Sequence, residues 1–115
     1  MTEDKELNHG VQRIDALMQA WDLCNNDLVS ISTEQLTHKQ VQKGRTGRQL
    51  TLKMMQKLAR ALNVCIWYKL DDEAKELYVE YIHRDLFTYA KGYTPDSEWA
   101  DPNAALLQAY QAKRN

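Results

Sequence analysis

Apolar residues return every third or fourth position in several stretches of this chain, and each such stretch predicts an amphipathic helix. In "GVQRIDALMQAWDL" the positions Val11, Ile14, Leu17, Met18 and Trp21 share one face. "CNNDLVSIS" follows with no Gly or Pro break, and Asn26 is a candidate N-cap for a short second helix carrying Leu28 and Ile31 toward the core. "STEQ", residues 32–35, has the form of a capping box, and Thr37 is a second candidate start for a third helix; the pattern leaves both open. That helix runs through Val41 to Lys43, with Gly44 and Gly47 marking its end. The clearest element is "LKMMQKLARALN" behind a Thr51 cap, with Leu52, Met55, Leu58, Ala59 and Leu62 as a buried stripe and Met54 and Met55 as core filler. Lys57 and Arg60 suit the negative end of its dipole, and Asn63 is expected as a left-handed cap.

Beyond this helix the pattern is less decisive. "VCIWY" fits either a further helical turn or a strand. Asp71 or Asp72 opens another amphipathic helix with Ala74, Leu77, Tyr78, Tyr81, Ile82 and Leu86 on one face, ended by Gly92 and Pro95. "TPDSEWAD" reads as a loop, and Asp101 with Pro102 begins a last helix. The expected fold is all-α: a compact bundle of about six helices. An N-terminal tail (1–10), a bundle (11–70) and a C-terminal helical extension (71–115) form a single domain of 115 residues. Trp21 and Trp67 are expected in the core; Trp99 either packs the last helix down or meets a partner.

Composition excludes several classes. No apolar run approaches the roughly 20 residues of a membrane span. "MTEDKELNHG" is acidic and polar, unlike a signal peptide, and Cys24 and Cys65 match neither a disulfide framework nor zinc spacing. The chain therefore reads as cytoplasmic and reduced. His9, His38 and His83 have no tight ligand spacing with either cysteine, so no metal is expected. No Ser-His-Asp ordering, Gly-rich phosphate loop or supported carboxylate pair emerges, so the expectation is a non-enzyme without a cofactor.

Charge changes the picture more. The formal net charge is −1, yet residues 1–34 balance at −5, residues 35–70 at +8 with no carboxylate, and residues 71–115 at −4. Within "LTHKQVQKGRTGRQLT", Leu36–Thr51, His38, Lys39, Lys43, Arg45 and Arg48 stand without one acidic side chain. A solvated surface interleaves both signs, so two accounts compete. Either the basic and acidic segments pack together and neutralise each other, or the basic one forms an anion-binding face, with nucleic acid the commonest large anion.

The motifs then carry a resemblance. The first helix, a short second one, "LTHKQVQKGRTG", and Thr51 opening "LTLKMMQKLARALNV" resemble the helix-turn-helix domain of Cro and phage-repressor type regulators over about residues 11–65. Thr51, Leu58, Ala59, Leu62 and Val64 fall where that family has its cap and core. The segment "STEQLTHKQVQKG…GRQLT" is also similar to a group of uncharacterised bacterial helix-turn-helix-like proteins. The chain departs from the pattern at Thr33–Gln35, where a turn glycine is usual, and at Val29, where a small Ala is usual. The interval from Leu28 to Val41 is also longer by about two residues.

The resemblance implies a small transcriptional regulator reading the major groove of double-stranded DNA with the helix around 37–43. Thr37, His38, Lys39, Gln40 and Gln42 become base-contact candidates; Lys43, Arg45, Arg48, Thr51 and Lys53 become phosphate-contact candidates. Tyr78, Tyr81, Phe87 and Tyr89 among acids are either aromatics buried on the bundle or the contact of a homodimer through the C-terminal helices. The competing function is a protein–protein interaction module of the same fold that does not bind DNA. The two separate by whether Lys39, Lys43, Arg45, Arg48 and Lys53 share an exposed face or pair with Asp71, Asp72, Glu73 and Glu76.

Overall fold

A computed structural model describes residues 8–114. Its described residues form seven helices: α1 (Arg13–Ala20), α2 (Asn25–Ile31), α3 (His38–Thr46), α4 (Leu52–Trp67), α5 (Asp72–Leu77), α6 (His83–Leu86) and α7 (Ala104–Arg114). The protein is all-α, and the one isolated bridge among the described residues joins Asn8 to Arg48. Through that bridge, and with His9 N–H donating to the Gly47 carbonyl at 2.8 Å, residues 8–10 of the expected tail lie on the α3–α4 connection. The rest of the expected tail falls outside the described residues.

Capping chemistry settles the start of α3. The Thr37 hydroxyl accepts from Gln40 N–H at 3.1 Å, while the Gln40 side chain accepts from Thr37 N–H at 3.0 Å. Both first-turn donors are satisfied reciprocally, which fixes the helix entry. Ser32 instead bonds both backbone groups of Glu34, so "STEQ" is a loop. The helix also outlasts its expected end at Lys43. Gly44 lies inside it because a Cβ there would meet Leu58 Cδ1 at 2.6 Å; the missing side chain lets α3 close on α4. Gly47 is the true terminator, at φ +105°, with the Gly10 backbone filling the place its Cβ would take.

The long helix α4 is the bundle's axis. Met55, Leu58, Ala59, Leu62 and Ile66 are buried there against Ile14, Met18, Trp21, Leu28 and Val41. Four expected core positions of α4 and the segment before α1 are not in it: Val11, Leu52, Trp67 and Val64, the last placed in the core by the resemblance and 39% exposed. Leu52, the first residue of α4, is 53% exposed, and Val11 is 70% exposed because α1 begins only at Arg13. "VCIWY" is the continuation of α4 plus its cap. Trp67 lies on the outward face and is 40% exposed, contrary to a core role.

Asn63 is therefore mid-helix and does not cap it. Its buried amide reads the chain opposite: Nδ2 donates to the Tyr81 carbonyl at 2.8 Å, while Oδ1 accepts from Tyr81 N–H at 2.9 Å and from Tyr78 O–H at 2.6 Å. Asn103 does the same for Val79, accepting from its N–H at 2.9 Å and donating to its carbonyl at 2.7 Å. Two side-chain amides thus hold residues 79 and 81 as a neighbouring strand would, and this overrides the helical periodicity of residues 74–86. The expected long helix is broken into α5, an extended segment and the single turn α6. Tyr81 is buried as expected of the apolar face, whereas Leu77 and Ile82 turn outward.

A second buried polar group fastens the loop after α6. The Arg13 guanidinium lies between the rings of Tyr93 and Trp99, at 4.4 and 3.9 Å from their centroids. It donates to the Asp85 and Thr94 carbonyls at 2.9 and 2.7 Å and pairs with the Asp96 carboxylate. The pair holds the Asp96 carboxyl below the usual carboxylate range. Trp99 is the loop's contribution to this clasp, and α7 starts two residues later than expected, at Ala104.

Candidate nucleic-acid interface

Helix α3 turns Val41 and Gly44 into the bundle, and the 3.6-residue period then fixes its opposite face. Lys39, Gln42, Lys43 and Thr46 are all exposed there, and His38 is exposed on the flank at the start of the helix. Lys53, in the first turn of α4, is exposed as well. Neither α3 nor α4 has an acidic residue in its first turn, where the helix dipole would favour one; Lys39 and Lys53 stand there instead. Cations at a positive helix end are unfavourable in isolation and become favourable when an anion bridges them. Among the described residues no carboxylate lies within ion-pair distance of Lys39, Lys43 or Lys53.

Other cations of the basic segment are held by the fold. Arg45 was expected at a phosphate and is turned inward. Its Nε donates to Asp15 Oδ1 at 2.6 Å and its Nη1 to Asn25 Oδ1 at 2.7 Å, with 16% of the side chain exposed. The reason is position: Arg45 lies on the flank of α3 that faces α1, within reach of a carboxylate on Asp15. Arg60 makes a two-pronged bond to Glu34 at 2.8 and 2.7 Å, which holds the Glu34 carboxyl below its ordinary range. Lys57 donates to the Gln35 carbonyl at 2.7 Å. Arg48 carries the bridge to Asn8, and its carbonyl accepts from Tyr89 O–H at 3.3 Å. Among the described residues none of Lys39, Lys43, Arg45 and Lys53 pairs with Asp71, Asp72, Glu73 or Glu76, and the ion-pair partner of Asp71 is Lys113.

The polar candidates divide in the same way. Thr37 and Gln40 are joined in the capping box, and the Thr51 hydroxyl accepts from Met54 N–H at 3.2 Å. Gln42 accepts from Asn25 Nδ2 at 2.9 Å, which orients its amide and leaves its own N–H groups as donors. Asn25 thus ties α3 down twice, through Gln42 and Arg45. The sequence pattern showed it only as part of the polar run heading α2.

Away from this face, an open groove of about 700 Å³ lies between the outer side of α4 and the extended segment 78–82 with the start of α6. Val64, Trp67, Tyr68 and Ile82 line it and are exposed, with Arg60 and Glu80 on its walls. Among the described residues no group of His, Cys, Asp and Glu is arranged to hold a metal ion, and no helix is long and apolar enough to cross a membrane. Comparison with protein-family models, with curated proteins and with solved structures found no match to this chain.

Proposed function

We propose that this chain is a sequence-specific DNA-binding protein, a small cytoplasmic transcriptional regulator of helix-turn-helix type, working without a cofactor and not as an enzyme. The observation that carries the reading is the outer face of α3, where Lys39, Gln42 and Lys43, with His38 on the flank, stand together without a carboxylate, beside a Lys53 that also lacks one among the described residues. Carboxylates on such a face would be repelled by the phosphate backbone; without an anion to bind, nothing selects against them. In this reading α3 enters the major groove. Lys39 and Gln42 face base edges, Gln42 through its free amide N–H groups, and Lys43 and Lys53 meet phosphates.

The test uses salt. Each neutralised phosphate contributes a slope of about −0.9 in log affinity against log salt on duplex DNA. Lys43→Ala and Lys53→Ala should each make that slope shallower by about one and weaken all sequences alike. Gln42→Ala should relax preference at one base pair by about 1–3 kcal/mol with the slope unchanged. Binding sites come from selection on random duplexes. Binding no tighter at low salt than an acidic control protein overturns the reading.

The second reading, a protein-interaction module that does not bind DNA, is favoured by the aromatic groove. Trp67, Tyr68, Val64 and Ile82 present apolar surface to solvent there, and aromatics of this kind anchor protein interfaces. Loss of partner capture on Trp67→Ala, with DNA binding absent, is the outcome that selects it.

A further inference from the structure

Helix α7 is attached to the rest of the molecule in an unusual way. None of its residues is buried; Leu106, Leu107 and Tyr110 are only partly covered. What holds it is charge and hydrogen bonding at its C-terminal end. Arg114 and Tyr110 both donate to the Asp22 carboxylate, the tyrosine at 3.0 Å. Lys113 pairs with Asp71 at 2.9 Å, and Lys69 donates to Tyr110 O–H at 3.3 Å. Both ion pairs are open to water, with side-chain exposures of 44% and 37% for Arg114–Asp22 and 72% and 55% for Lys113–Asp71.

Under this helix lies Trp21. It is fully buried, and the Tyr110 ring packs on it with centroids 5.1 Å apart. The indole Nε1–H of Trp21 is the one buried side-chain donor among the described residues without a partner. An unpaired buried donor is a standing cost that disappears when water reaches it. The closed position of α7 is thus favoured by exposed charge pairs, and it lies against a residue whose indole N–H has no partner.

We propose that α7 is an ionic strap: a latch of Arg114, Lys113 and Tyr110 on Asp22 and Asp71 holds it over Trp21, and rising ionic strength releases it while α1 to α4 stay folded. Salt acts on the latch because raising it from about 0.01 M to about 1 M shortens the screening length from roughly 30 Å to 3 Å. The α1–α4 core is held chiefly by apolar burial, which charge screening does not weaken, and its Arg45–Asp15 pair is largely shielded from water. The device is independent of whether α3 binds DNA.

Hydrogen exchange on the full chain, read residue by residue across that salt range, tests it. The α7 amides and the Trp21 indole N–H should exchange faster together as salt rises, with the amides of Leu58–Cys65 unchanged. Asp22→Asn should speed the same groups about tenfold at low salt, from the loss of one ion pair and one charged hydrogen bond. Asp22 sits at φ 57°, a left-handed conformation that Asn adopts readily, so the backbone is not disturbed. Arg114→Gln, at an exposed site near the chain end, should act in the same direction. Exchange of α7 in step with α4, exchange that slows as salt rises, or an Arg114→Gln variant without effect on α7 would each overturn the strap.

Discussion

Removing the Asn63 amide tests what keeps the segment after α5 extended. Asn63→Ala deletes three hydrogen bonds and leaves the Tyr81 N–H and carbonyl without partners beside a residue only 1% exposed. Each buried backbone group left unpaired costs about 1–3 kcal/mol. The Tyr78 hydroxyl, at the groove wall, recovers water and adds little. Two orphaned groups give about 2–6 kcal/mol, and partial relaxation of the extended segment brings the expectation to about 3–4 kcal/mol. A domain of this size has about 5–15 kcal/mol in total, so the loss is large and measurable. The assay is chemical denaturation followed by circular dichroism, with the denaturant slope checked for constancy. Asn63→Asp provides a pH signature. Its carboxylate keeps an acceptor for Tyr81 N–H but faces the Tyr81 carbonyl with a second oxygen. Protonation restores a donor, so the variant's carboxyl is raised in the folded state and its deficit should shrink as pH falls. If Asn63→Ala costs under about 1 kcal/mol, the amide does not hold the segment and the broken helix needs another cause.

Three further outcomes follow from the same contacts. Leu58→Ala removes a fully buried side chain from the α4 stripe and should cost about 2–5 kcal/mol in the same denaturation assay; an unchanged thermal midpoint refutes the buried-stripe account. Arg45→Ala should lower stability by about 2–3 kcal/mol, because it removes the charged partner of the half-buried Asp15 and one bond of Asn25, while leaving the salt slope of any DNA binding unaltered; a shallower slope at full stability returns Arg45 to the phosphate contacts. Burial pushes the Cys65 thiol up to about 11, so below that pH it stays protonated, and thiol labelling near pH 8 should modify the exposed Cys24 alone; rapid labelling of both cysteines contradicts the packing of α4.

The chain's local order was largely legible in its sequence. The Thr51 cap, the Met55–Leu62 stripe, the all-α class and the Thr37 alternative for the start of α3 each depend on residues within a few positions of one another. Capping and periodicity are short-range physics. The carboxylate-free run Leu36–Thr51 was equally visible, since charge composition needs no coordinates. Three-dimensional packing decided which of those cations stay outside. Arg45 is drawn in by Asp15, 30 residues earlier, whereas Lys39 and Lys43 point outward on the face opposite Val41. Asn63 and Asn103 show the limit most clearly. Residues 74–86 carry a helical apolar pattern, yet two amides from distant positions offer Val79 and Tyr81 a complete set of backbone partners in an extended conformation. A hydrophobic period states which face a segment would bury if it were helical. Whether it is helical depends on where its backbone groups find partners, and only the tertiary arrangement brings those partners within 3 Å of the chain.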